Sequence, residues 1–415
     1  MPLPSQMFRA GGPDGAASPR RLAHIDVLRG MAVFGILLVN VWSFVWGFGA
    51  LRYGAIAEPS WLDRGVIFAV ALLAEQKFYP IFAFLFGAGF ALQARSLRRR
   101  LTDRGRVHAA LRRRFRWLLG CGMLHGLLLW AGDILTVYGA TGFLLLRLLN
   151  ARLRTVCASL RKWSLLWLIV LTAGVALSLP SAGPEADDAR REQAIAYIED
   201  AQDARSVYTE GTAGEVAAQR IVDYLAVTFA SLLLVPHLMV LFLLGICSVR
   251  LGWLTAPQRH ALLWRRVRGI GLLIGLPVNL AWATAAAAEA ANPLAAPAWG
   301  ELAYALLPLG GSLLAAAYVA SLLLARGSLM RLAGAWLAPV GRMSLTNYLM
   351  QSLLGVSLLQ GTALGAHASP AGLMPIVLAI MLLQLLASRW WLSRHAQGPM
   401  EWLAARGKPR GQEPG

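Results

Sequence analysis

Ten apolar windows, centred near residues 38, 87, 123, 141, 171, 237, 277, 313, 351 and 382, constrain what this chain can fold into. Each is close to the roughly 20 residues that a helix needs to cross the hydrocarbon core of a bilayer. None has the alternation over roughly 10 residues that marks an outer-membrane strand. With 57% hydrophobic and 14% charged residues, the chain is too apolar for a soluble enzyme of its size. The expected fold is all-α, a polytopic transmembrane helix bundle of about ten spans.

The formal net charge of +18 suggests a nucleic-acid binder, but its distribution argues against one. Ten arginines fall between Arg95 and Arg116 against a single acid, Asp103. Further basic clusters run over Arg147–Lys162, Arg250–Arg268, Arg326–Arg342 and Arg389–Arg410. Ser181 to Asp223 is the opposite, with ten acids and four arginines. Basic connections alternate with acidic or neutral ones, as the positive-inside rule requires. Both termini are therefore expected in the cytoplasm, with an acidic external loop at about 181–223. The basic runs would meet anionic lipids at the cytoplasmic face, not nucleic acid.

Residues 1–23 carry no apolar h-region and are expected to be a disordered cytoplasmic tail, not a cleavable signal peptide. The transmembrane domain is expected over 24–403 and a second cytoplasmic tail over 404–415. Cys121, Cys157 and Cys247 lie in or near the cytoplasmic half, which disfavours a structural disulfide. No Cys-x-x-Cys or Cys/His spacing is present, so no metal site is expected. Gly-rich phosphate loops, Gly-x-Ser-x-Gly elbows and His-Glu-x-x-His motifs are absent too.

Candidate functional residues are the polar groups inside this apolar chain. The run from Trp117 to Leu146 covers 30 residues, about 45 Å as one helix, which is half as long again as the membrane core. It is basic at both ends, so two spans joined by a tight outer turn at Gly132-Asp133 are expected. Asp133 would cap the returning helix at the outer surface. His125 would sit about 12 Å deeper, out of Asp133's reach without a bend or a water chain. An ionisable group at that depth marks a functional path, or is a neutral imidazole bonded to a neighbouring helix.

Trp61 to Gln76 reads as an interfacial or re-entrant helix on the outer side, and Phe78 to Gln93 as the span that follows. Glu75 and Lys77 would border an outer cavity between them. Arg29 lies one turn inside the first span, and Asn40 near its far end needs a partner from another helix. Arg342 precedes the ninth span, where Asn347 and Gln351 share a helix face with Ser344. His237, a lone histidine after Pro236, reads as a packing residue. Asn40, His125, Asn347 and Gln351 are expected to converge on one polar cavity.

Several stretches together resemble a known family: "DVLRGMAVFGILLVN", "EQKFYPIFAFLFGAGFALQ", "GMLHGLLLWAGDILTVYG", "GRMSLTNYLMQSLL" and "GPMEWL". They resemble the YeiB-like family of bacterial inner-membrane proteins (domain of unknown function 418), in order, from about Leu22 to Leu403. That family looks like a distant relative of the membrane-bound acyltransferases. The resemblance implies a multi-pass protein of the bacterial inner membrane that moves an acyl group from a cytoplasmic thioester, such as acyl-CoA, to an envelope or lipid-linked acceptor. Acyltransferase-3 proteins carry an Arg, ten residues and a His in the first span. Here Arg29 matches, and the His position is Asn40, as in the heparan-glucosaminide group.

In that reading His125 is the general base, with Asp133 as the second catalytic candidate. Arg29, Asn40, Glu75, Lys77, Arg342, Asn347 and Gln351 form the substrate-binding set, with the arginines on the donor's phosphates. A transporter for a small molecule or lipid, with His125 as a proton relay, is the alternative. A non-catalytic membrane subunit is the third.

Overall fold

The computed structural model describes residues 22–49, 53–54, 58–101, 103–179 and 183–406. It is 85% helical with no strand among the described residues. The expected N-terminal tail lies outside the described residues except for Leu22 and Ala23, where the first helix already begins. Of the expected C-terminal tail, 407–415 lies outside them, and the last helix runs on to Ala405.

The first third of the chain builds the centre. Helix α1 (Ala23–Asn40) leads into a single turn, α2 (Ser43–Trp46), then α3 (Trp61–Leu73) and α4 (Phe78–Arg100). A capping box starts α3, because the Ser60 hydroxyl accepts from the Asp63 N–H while the Asp63 carboxylate accepts from the Ser60 N–H. The break at 74–77 separates α3 from α4 as expected, and Pro80 sits in the first turn of α4. Next come α5 (Arg104–Leu128), α6 (Leu135–Leu146) and α7 (Leu153–Leu177).

The acidic segment, expected as an external connection between spans, is built of two helices, α8 (Pro184–Glu210) and α9 (Ala213–Ala230). Its acids lie at exposed positions, with Glu185 and Asp187 at the start of α8 where they suit the helix dipole, except for Asp223, which is buried within α9. Small residues Ala201 and Ala204 let α8 pack closely, and Arg205 stacks over Trp46 at 5.7 Å and donates to the Ala366 carbonyl. Burial, and then the bond to the Asp223 carboxylate, push the Tyr208 phenol on α8 well above its ordinary range.

The remainder adds α10 (Val235–Arg250), α11 (Ala261–Ile270), α12 (Leu276–Ala291), α13 (Trp299–Leu324) and α14 (Gly327–Arg342). It closes with α15 (Ser344–Leu359), the turn α16 (Ala363–Ala366), α17 (Pro370–Arg394) and α18 (Pro399–Ala405). The centres of all ten apolar windows fall in helices. Among the described residues, seven stretches, some of two joined helices, are long and apolar enough to cross a membrane. Helices α6 and α15, at 12 and 16 residues, fall short in length, and α5 is rich in arginine over its first half. Close contacts at glycine hold the centre. Gly87 of α4 lies on the Phe242 carbonyl of α10, and Gly245 of α10 on the Phe84 carbonyl of α4, so neither position has room for a side chain.

Candidate functional site

Between α5 and α6 the chain does not make a surface turn. The N–H groups of Leu129 and Trp130 both close on the His125 carbonyl, at 3.0 and 2.9 Å. The next residues fold back into the protein. Gly132 is pressed between the rings of Trp130 and Phe48, where a Cβ would not fit. Asp133 is consequently only 4% exposed. Its Oδ1 lies 2.9 Å from His125 Nδ1, and its Oδ2 accepts from the backbone N–H and hydroxyl of Thr136 at 2.7 and 2.8 Å. Asp133 stands one residue before the N-cap of α6 and accepts from the first-turn N–H of Thr136, close to the capping expected of it, but it is buried and within hydrogen-bond reach of His125, which was not expected. The reason is energetic: a buried segment is tolerated where the protein supplies partners for its polar groups, and three donors satisfy the carboxylate.

This arrangement sets the chemistry of His125. An ionised carboxylate only accepts, so opposite an ionised Asp133 a neutral His125 donates through Nδ1 and keeps its lone pair at Nε2. Nε2 is buried and has no hydrogen-bond partner among the described residues. The rings of Tyr348 and Trp130 flank the imidazole at 5.4 and 6.1 Å between centroids. The Tyr348 hydroxyl accepts from the Ile134 N–H at 3.3 Å, and the Tyr224 hydroxyl meets Thr136 Oγ1 at 3.2 Å.

Gly122, on the turn of α5 before His125, lies against Thr136 N and Asp133 Oδ2, and a Cβ there would overlap both. Gly122→Ala is therefore expected to destabilise the protein by about 3 kcal/mol, the upper end for overpacking. Thermal unfolding in detergent measures this, and an unchanged midpoint would show that the contact can relax.

A cavity of about 540 Å³ lies near this pair, although neither His125 nor Asp133 is among the residues that line it. Four arginines line it: Arg29 of α1, Arg113 and Arg114 of α5, and Arg342 of α14. Gln93 holds Arg114 at 2.5 Å, with the guanidinium 5.3 Å over the Phe86 ring. Asp26 lies 3.5 Å from Arg29. The lining acid is Glu401, whose carboxylate caps the start of α15 by accepting from Leu345 N, Thr346 N and Thr346 Oγ1 at 2.8, 3.3 and 2.6 Å. With that acid committed to a helix end, the cavity favours anions. Tyr348 and Ile134 line it as well, which brings its wall to the residues that touch His125 and Asp133.

The other expected site residues separate into different places. Asn347 donates to Ser388 Oγ at 3.0 Å, and Gln351 donates to Gln384 Oε1 at 2.9 Å. Gln384 in turn donates to the Asn347 carbonyl at 2.8 Å, so this ladder locks α15 to α17. Second bonds from Asn347 and Gln351 reach the carbonyls of Val340 and Val33. The structure thus joins Asn347 and Gln351 to each other's network, and His125 to Asp133. Asn40 ends α1, half-buried, and its carbonyl accepts from Ser43 Oγ at 2.8 Å.

Glu75 is buried among aromatics and accepts from Tyr53 OH and Trp282 Nε1 at 2.8 and 2.6 Å. Lys77 is fully buried and donates to the Ala71 carbonyl at 2.6 Å. His237 has both ring nitrogens engaged, by Tyr79 OH at 2.9 Å and Ser312 Oγ at 3.0 Å.

Sequence reasoning did not single out Arg113, Arg114, Thr136, Tyr224, Tyr348 or Glu401. The signal for Tyr348 was its place between Asn347 and Gln351. For the two arginines there was none, because ten arginines in one run look alike.

Residues 248–407 match the family model described as "Protein of unknown function (DUF418)". The chain is also similar to "Uncharacterized protein YxaH" of Bacillus subtilis (strain 168), 28% identical over 92% of this chain and 93% of that protein. It is 29% identical to "Uncharacterized protein YeiB" of Escherichia coli (strain K12), over 91% of this chain and 94% of that protein.

Proposed function

The chain belongs to the YeiB-like, DUF418 family of helical membrane proteins, and on that premise we propose that it is an acyltransferase of the bacterial inner membrane. It moves an acyl group from a cytoplasmic thioester donor such as acyl-CoA to a hydroxyl or amine of an envelope or lipid-linked acceptor. Both termini are cytoplasmic in this reading. Reporter fusions at Pro184 and Pro409 should read outside and cytoplasm respectively, and the same location for both would overturn that topology.

The observation that carries the proposal is the bare Nε2 of His125, with Nδ1 tied to Asp133, beside a cavity lined by four arginines. Nε2 takes the proton of the acceptor's hydroxyl or amine as its oxygen or nitrogen attacks the thioester carbonyl. The carbon–sulfur bond then breaks, and the departing thiolate receives that proton from His125. Asp133 stabilises the imidazolium between the two transfers. Arg29 and Arg342 bind the donor's phosphates, with Arg113 and Arg114 beside them.

Arg29→Gln and Arg342→Gln are each expected to raise the donor's KM about tenfold or more, with kcat little changed, because each removes a charge-assisted hydrogen bond to bound donor. Unchanged KM in both would remove the donor from this cavity. Mass spectrometry of lipids and envelope glycans from a deletion strain tests the reaction class. Loss of one acylated species is expected; accumulation of an unmodified solute instead would indicate transport.

A further inference from the structure

A second cavity, of about 310 Å³, lies between α4, α10, α11 and α13, with Trp167 from the middle of α7 at its wall. Its walls are apolar side chains, Trp167, Trp253, Trp264 and Val267 among them. His237 and Ser312 also line it, but they are bonded to each other, and Tyr79 takes the second ring nitrogen. These two groups offer a polar solute no ready partner, the hydroxyl of Ser248 is the one other polar side chain on the wall among the described residues, and hydrocarbon suits the rest. Helix α7 presents Leu165, Leu166, Leu168 and Ile169 outward from this region, each at least 42% exposed, so the cavity lies at the edge of the bundle, beside lipid.

Charge at one end narrows the occupant. In α11, Leu263, Trp264 and Val267 line the cavity, while Arg265, Arg266 and Arg268 are exposed. Successive helical residues are about 100° apart, so Arg266 and Arg268 bracket Val267 on either side. On α7, exposed Arg161 and Lys162 precede Trp167, roughly 8–9 Å along the helix. Exposed cations thus stand on both helices that contribute aromatic residues to the cavity wall, and Trp264 Nε1 is fixed on the Trp253 carbonyl at 3.2 Å.

We propose that this groove binds one anionic phospholipid, with an acyl chain in the apolar cavity between α7 and α11 and its phosphate among Arg266, Arg268, Arg161 and Lys162. The site is separate from the arginine cavity beside His125 and does not depend on the acyltransferase reading. The lipid would fill the gap between α7 and the α11–α13 wall, where protein side chains leave the cavity.

The test is native mass spectrometry of the full chain, extracted under mild conditions from vesicles of phosphatidylcholine and phosphatidylglycerol at 3:1. The wild type should retain one phosphatidylglycerol, and none when the vesicles hold phosphatidylcholine alone. A cation near an anionic headgroup contributes about fivefold in affinity, so Arg266→Gln/Arg268→Gln should weaken retention about 30-fold. Ala316→Phe, which fills the groove, should abolish it. Equal retention of the two lipids by the wild type, or undiminished retention in the double variant, would overturn the proposal. The double variant decides alone if Ala316→Phe does not fold, because both arginines are exposed.

Discussion

Replacing His125 with Gln is expected to lower acyl transfer by about 10²–10⁴-fold, the usual contribution of a general base, while the protein stays inserted and stable. Gln keeps roughly the size of the imidazole, and its amide N–H can donate to Asp133 Oδ1 in place of Nδ1–H, so the buried carboxylate keeps its donors. What Gln cannot do is accept and return a proton at pH 7. His125→Leu separates the two roles. It leaves Asp133, whose side chain is 0% exposed, short of one donor, and should cost about 3–5 kcal/mol in stability as well as activity. Turnover of a labelled acyl donor in proteoliposomes, with the unfolding midpoint measured on the same samples, tests both. A stable His125→Gln protein of near wild-type rate would end the assignment of His125 as base.

Asp133→Asn should be nearly as severe, with a fall of up to about 10⁴-fold, as follows when a triad histidine is held in the wrong tautomer. As a helix cap alone Asp133 would tolerate this change, since Asn caps a helix and turns a chain almost as well as Asp. The geometry reverses that. Thr136 presents its N–H to Oδ2 at 2.7 Å, so the amide must point its oxygen there. Its NH₂ then faces His125 Nδ1, which has to become the acceptor, and the proton moves to Nε2. The imidazole is left with no lone pair toward the acceptor. Stability should change little, because every bond at the site is remade. An Asn variant keeping more than a tenth of the wild-type rate would show that the carboxylate serves only to shape the turn.

The two histidines in polar networks show why a residue's role was only partly legible. In sequence, His125 and His237 are both single histidines in apolar runs. His237 meets a donor or acceptor at each nitrogen, whereas His125 meets one at Nδ1 and none at Nε2 among the described residues. The difference comes from which helices stand opposite, and no local pattern encodes that. Asn347 and Gln351 were legible as one helix face, but the face turns to Gln384 and Ser388, not to His125. The residue between them, Tyr348, points the other way and reaches the imidazole.

By itself the sequence determined that the chain is helical and lies in a membrane, where its apolar stretches fall, and which ionisable groups stand inside them. Those properties follow from the transfer of each side chain and peptide group out of water, a local quantity that sums along the chain. Only the tertiary structure decided that Asp133 reaches His125, and which two of the ten arginines between Arg95 and Arg116 line a cavity. Gly122, Gly126 and Gly132 leave just the room that Thr136, Tyr224 and Trp130 fill, so the chain after α5 turns inward where spacing alone predicted a surface turn. The depth of such a segment depends on whether facing helices can satisfy its backbone and carboxylate, and those partners lie up to 214 residues away in the chain, as Tyr348 does from Ile134.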